Sequence, residues 1–285
     1  MNNLVSNLSE TTDPIDFDFP MFTRFARDLR TLTVELDSRS AREVVSAYYN
    51  LQENRMAFAA QARELEKQNS PSELVKFLSY NLQLMEKSLK APLQTYAEST
   101  TVGSWAISQF GIGPVLAAGL LSHIDITKAP TAGSIWRYAG LDPTVVWEKG
   151  QKRPFNAELK TLCWKIGQSF MKFSGKEECF YGKLYKQDKQ RRTEKNETGD
   201  YSEFASSILE KKNFKQNQTR KTLESGKLSD AQIDAQARRF AVKIFLSHYH
   251  AVAYQAHHDT PAPRPYIIEH GGHVHEIAIP NNPFV

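Results

Sequence analysis

Two groups of residues in this 285-residue chain have types and spacings that can do chemistry. The first is the run Ser108-Gln109-Phe110-Gly111-Ile112-Gly113-Pro114-Val115-Leu116-Ala117-Ala118-Gly119-Leu120-Leu121. It predicts a short helix, a Gly-Ile-Gly turn, and a second, small-residue helix opening at Pro114. That is a helix-hairpin-helix pattern. Glycine supplies φ > 0 and leaves the turn amides uncovered. Amides at a helix N-terminus hydrogen-bond a phosphate oxygen and favour its charge. Gly111, Ile112, Gly113 and Val115 are the candidate DNA contacts, with Ile112 as the plug of the hairpin. Such contacts go to the nucleic-acid backbone and carry no sequence preference. A tight helical corner without a ligand shares Gly-x-Gly; Pro114 and the small-residue helix favour the phosphate reading.

The second group is histidine. Seven of the eight histidines follow residue 247. In Tyr266–Ile277, Gly271-Gly272 suits a two-residue hairpin turn. His270, His273 and His275 then project from one face, where three imidazoles suit Zn²⁺ with an open fourth position. Packing or hydrogen bonding alone also accounts for them, and no other cofactor is expected. Cys163 and Cys179 are no C-x-x-C pair and read as core residues.

Charge points to a polyanion. Residues 148–227 hold 19 Lys/Arg against 11 Asp/Glu, while residues 1–100 hold 11 against 14. A basic block of this kind suits nucleic acid, and it also suits a solvated helical face. Lys149, Lys152 and Arg153 form a basic loop. Lys183, Lys186, Lys189, Arg191 and Arg192 interleave with Tyr181 and Tyr185 on one helix and form a candidate DNA-facing surface. Trp105, Trp136, Trp147 and Trp164 read as core before they read as base-stacking platforms.

The elements that must position these residues are helical. Residues 1–20 read as an acidic tail. Over Ala41–Gln68, Val44, Tyr48, Leu51, Phe58, Ala62 and Leu65 make one narrow apolar stripe. Ser70, Pro71 and Glu73 predict the cap of a second helix, with Val75, Leu78, Leu82, Met85, Leu89 and Tyr96 as its stripe and Pro92 near its end. Residues 21–100 thus form a coiled-coil-like antiparallel hairpin, and the stripe of residues 41–99 equally serves a homodimer. Residues 101–192 are the compact helix-hairpin-helix domain, with Leu159, Leu162, Ile166, Phe170 and Phe173 on one face. Residues 193–228 are a polar basic arm, 229–258 a helix packed on that domain, and 259–285 a Pro/His-rich tail with a short β-hairpin or extended form. The fold class is all-α. No apolar run approaches the ~18 residues of a membrane span. Residues 1–19 lack the basic start and apolar run of a secretory signal, and a cytoplasmic location with no membrane partner is expected.

The run GIGPVLAAGLLSHI, followed by SIWRYAGLDP ending at Pro143, resembles the C-terminal domain of DEDD-type transposases of bridge-RNA-guided insertion sequences. The resemblance is close over residues 107–143 and weaker through the helices at 156–192 and 231–255. It implies DNA recombination chemistry, a coiled coil, and nucleic-acid partners, with RNA not excluded. Two departures stand beside it. The family's RuvC-like nuclease domain needs strands carrying carboxylates, and residues 1–100 offer none; Asp16 and Asp18 lie in the acidic tail. The family's serine follows the Tyr-Ala-Gly-Leu-x-Pro segment, yet residues 145–160 contain neither Ser nor Thr, and Thr144 has no evident activating base. The expectation is a DNA binder without catalytic residues of its own. A recombinase using an unrecognised nucleophile or a partner nuclease, and a helical assembly protein of a mobile element or phage, are the alternatives.

Overall fold

The computed structural model describes residues 27–29, 31, 36–211, 214–264 and 277–285. The fold is all-α, with no strand among the described residues. The predicted β-hairpin and the trio His270, His273 and His275 lie outside them. The chain divides into two units, residues 1–96 and 97–285.

The first unit is a helical hairpin. Helix α1 (Ser38–Lys67) starts where the Asp37 carboxylate accepts from the Ser40 amide at 2.7 Å, an N-cap that satisfies an orphan donor. Helix α2 (Glu73–Glu98) follows a turn with Asn69 at φ 53°. Its start is not at Ser70 as the sequence predicted. Ser72 caps it, with its hydroxyl 3.4 Å from the Val75 amide, because the helix opens two residues beyond Pro71. Pro92 lies within the helix, which continues to Glu98. Cross-helix contacts fix the direction: Tyr96 meets Ser38 at 3.4 Å, Tyr48 meets Glu86 at 2.9 Å, and Lys76 meets Glu66 at 2.9 Å. Residue numbers rise on one helix as they fall on the other, so the pair is antiparallel.

The second unit is organised around helix α10 (Asp230–His258), capped by Ser229. Short helices α3 (Thr101–Ser108), α4 (Pro114–His123) and α5 (Ala132–Tyr138) precede α6 (Ala157–Lys172) and α7 (Phe180–Glu197). Helix α10 packs against α3, α5, α6 and α7. Its fully buried Phe245 stacks on Trp105 at 5.7 Å and meets Phe170 and Tyr181 edge-on at 5.6 and 5.1 Å. Burying such a ring contributes about 1.5–3 kcal/mol. Close helix contacts depend on glycine. A Cβ at Gly103 would meet Leu121 at 2.7 Å, and one at Gly119 would meet Leu162 at 2.8 Å. The small residues of α4 therefore admit α6, while Gly103 admits α4 to α3.

Residues 193–228 are not an arm. Helix α7 runs on to Glu197, and α8 (Ser202–Lys211) and α9 (Gln218–Glu224) follow. They bury Ala205 and Leu223 with Leu228 and Ile233 of the next segment. The sequence signal failed because these anchors are few and are brought together by Gly199 and Gly226, at φ 87° and 75°, rather than by one long stripe. Residues 277–285 also dock. The carbonyl of Pro280 accepts from Trp105 Nε1 at 2.9 Å, and the Ile277 carbonyl lies 3.0 Å from His248 Nε2.

Candidate nucleic-acid interface

The turn between α3 and α4 is built from residues that fix it to α6. The Ile112 amide donates to the Gln109 carbonyl at 2.9 Å. Ser169 Oγ donates to the Gly111 carbonyl at 2.5 Å, and Cys179 Sγ to the Phe110 carbonyl at 3.5 Å. Gly111 sits at φ 98°, which a side chain rarely adopts. Ile112 points inward and is 4% exposed.

At Gly113 the chain enters α4. Its backbone is extended at φ −96° and ψ 175°, no side chain caps the helix, and Pro114 occupies the first turn. By contrast α3, α5, α6, α9 and α10 are capped by Thr100, Thr131, Asn156, Asn217 and Ser229. A Cβ at Gly113 would meet nothing within 4 Å. Of the amides expected to face a phosphate, that of Ile112 is taken within the turn and Pro114 has none. Helix geometry leaves those of Gly113, Val115 and Leu116.

The basic loop is rooted elsewhere. The Asn156 amide donates to the Tyr138 carbonyl at 2.8 Å, and Phe155 packs over Gly140. Within the loop, Trp147 Nε1 donates to the Gln151 carbonyl at 2.9 Å and the Arg153 guanidinium lies 5.7 Å from the Trp147 ring centre. Lys149, Lys152 and Arg153 are exposed. The loop thus joins α6 at its N-terminal end, whereas the turn touches Ser169 near the other end, about 20 Å further along the axis at 1.5 Å per residue.

On α7 the five basic residues separate into two kinds. Lys183 and Lys186 are exposed. Lys189 donates to Asp234 at 2.9 Å, and Arg191 and Arg192 both bond Asp188, whose side chain is 2% exposed. Arg192 also donates to Gln236 at 2.8 Å. Tyr185 donates to Asp234, and Arg238 pairs with it at 2.8 Å. Burial raises the Asp234 carboxyl, but the bonds from Tyr185 and Lys189 and the charges of Arg238 and Lys189 outweigh it and hold it below the usual range. The bonds of Lys189 and Tyr185 to Asp234 and of Arg192 to Gln236 clamp α7 to α10, while the Asp188 pairs lie within α7.

The clamp reveals cations the sequence reading passed over. Arg238, Arg239 and Lys243 lie on one side of α10, in a segment whose net charge of −1 concealed them. Partial desolvation, with Arg192 and Arg238 close by, lowers the Arg239 pKa although its side chain stays exposed. Burial also lowers that of Lys243, with Asp142 opposing and Arg239 adding to the shift. The i, i+4 spacing of Arg239 and Lys243 was the available signal.

The tryptophans divide. Trp105 is core, Trp136 is partly buried, and Trp147 and Trp164 are exposed. Both cysteines are buried. The Thr144 hydroxyl donates to Asp142 at 2.7 Å within a two-residue turn. That bond, the Thr144 amide and Arg137 keep Asp142 below its ordinary pKa, so it is a weak base.

No protein-family model, curated protein or solved structure matches this chain.

Proposed function

We propose that this chain binds nucleic acid, that it is related to the C-terminal domain of insertion-sequence transposases, and that it performs no strand cleavage alone. The observation that carries the reading is the start of α4, where a glycine-only entry leaves helix amides without a side-chain cap beside open space. A phosphate oxygen there meets N–H donors and the positive end of a helix. The excess of Lys/Arg over Asp/Glu across residues 148–227 supplies the long-range attraction. Serine chemistry finds no hydroxyl over residues 145–160, and the Thr144 hydroxyl is bonded to a weak base.

Partnership with a second copy through the hairpin belongs to the same proposal. Met56, Leu74, Phe77 and Met85 are 37–67% exposed on the hairpin. Two helices alone leave these apolar groups in water.

Gly113→Asp tests the phosphate contact. The φ of −96° and the empty Cβ position accept aspartate without strain. Its carboxylate caps α4, which preserves or raises stability by a few tenths of a kcal/mol, while it repels phosphate. The expected result is an unchanged or higher melting temperature with duplex-DNA affinity down about tenfold. Unchanged affinity in the folded variant contradicts the assignment.

A further inference from the structure

A cleft of about 710 Å³ opens within the second unit, between α7 and α10 with α5 at its edge. That volume suits one small organic group. Its wall is apolar, made by Trp136, Leu184, Phe240, Ile244 and Ile279, with Arg191 and Lys243 also lining it. The Trp136 ring and Lys243 are fixed to one another. The indole Nε1 donates to the Lys243 carbonyl at 3.1 Å, and the ammonium lies 4.5 Å from the ring centre.

Beside this wall the positive charge is only partly balanced, with Asp142 acting on Lys243. Asp188 is held by Arg191 and Arg192, and Asp234 by Lys189, Tyr185 and Arg238. Arg239, one turn before Lys243, makes no ion pair among the described residues and is exposed. Crowded cations that outnumber their carboxylates are relieved by an external anion. The two histidines at the cleft are spent on structure. His248 bonds Tyr181 and the Ile277 carbonyl, and His250 bonds the Ala129 carbonyl.

An apolar wall with an aromatic edge, adjoining a ledge with an excess of positive charge, matches the two halves of a nucleotide. We infer that this cleft holds one unstacked nucleotide of a single-stranded nucleic acid, its base against Trp136, Phe240 and Ile244 and its phosphate on Arg239 and Lys243. Aromatic stacking beside a basic track is how single strands are held without sequence readout. A duplex keeps its bases paired and cannot fill the cleft. The inference rests on the nucleic-acid reading above but assigns a different surface from the turn at Gly113.

The test is fluorescence anisotropy on the full chain with three labelled probes: an oligothymidylate, an oligouridylate of equal length, and a blunt duplex. Ile244→Trp fills the cleft, and Arg239→Gln with Lys243→Gln removes the ledge cations. In the cleft-filled variant, single-strand affinity is expected to fall about tenfold, the loss of one stacked base, while duplex affinity stays within about twofold. The double glutamine variant changes no apolar residue of the core and decides the matter should Ile244→Trp not fold; it must show the same selective loss. A loss on both single strands assigns the shared chemistry, and a loss on one alone names DNA or RNA as the source. Unchanged single-strand affinity, or an equal loss on the duplex, overturns the cleft assignment. Duplex binding without single-strand binding overturns it too and leaves the turn reading standing. Binding of none of the three probes removes both.

Discussion

Single side chains in the second unit are set by burial. His248 has both ring nitrogens engaged. A carbonyl only accepts, so Nε2 carries the proton toward Ile277 and Nδ1 accepts from the Tyr181 hydroxyl at 2.8 Å. Burial lowers its pKa from 6.5 to about 4, against a small opposing effect of the Ile277 bond. The folded chain therefore keeps this imidazole neutral while the unfolded chain takes up a proton below pH 6.5. Its contribution is full above that pH and is lost as pH falls toward 4, amounting to roughly 3 kcal/mol across the window. The ring proton resonance of His248 is expected to stay in the neutral position from pH 8 to about 5. A midpoint near 6.5 contradicts the burial. Cys163 behaves likewise, since burial pushes its thiol up to about 12. Neither Cys163 nor Cys179 is expected to react with a disulfide reagent in the native protein, and both should react after denaturation. Reaction of either at native rates typical of free thiols contradicts their placement. The core role of both cysteines was legible from their type alone. The role of His248 was not, because its partners are Tyr181 and Ile277, far away in sequence.

At the level of elements, the hairpin carries a buried polar cluster between its two helices. Glu86, 6% exposed, accepts from Tyr48 at 2.9 Å, Gln52 at 3.2 Å and Arg55 at 2.6 Å. Burial raises its pKa, but those three bonds outweigh burial and hold it below the ordinary value. Glu86→Ala leaves three donors unsatisfied and is expected to cost about 1–3 kcal/mol of hairpin stability, read by chemical denaturation. A cost near zero contradicts the cluster. On the outer face, Phe77→Lys is expected to shift the chain from dimer to monomer in sedimentation at equal concentration. A wild type that sediments as a monomer overturns self-association. Both long helices were legible from their narrow stripes, and Arg55 was visible as the interruption. Its partner was not, since the heptad pattern places Glu86 among polar positions. Helices α8 and α9 were missed for a related reason. Their apolar residues, such as Ala205 and Leu223, complete a core only with Leu228 and Ile233, and a window reading sees each fragment as polar.

For the molecule as a whole, the sequence located basic residues but not their use. Lys189, Arg191 and Arg192 read as a DNA-facing row, yet they spend charge on Asp188 and Asp234, and Lys189 and Arg192 bind α7 to α10. Arg239 and Lys243 stand beside that clamp, in a segment that counted as acidic. The place of the turn at Gly111–Gly113 was legible, because glycine, proline and their spacing dictate it locally, but only Gly111 takes a positive φ, Gly113 is extended at φ −96°, and the Ile112 amide is spent on Gln109. The turn's distance along α6 from the loop at Lys149–Arg153 was not legible, since that depends on where both meet α6. Among the described residues no helix is long and apolar enough to cross a membrane. The central claim is that phosphate contacts hold a nucleic acid on this chain. The most direct measurement is duplex affinity between ~50 and ~200 mM salt. Several phosphate contacts predict a loss of about 100-fold or more over that range, linear in the logarithm of salt. A flat dependence, or no measurable binding at low salt, contradicts the account.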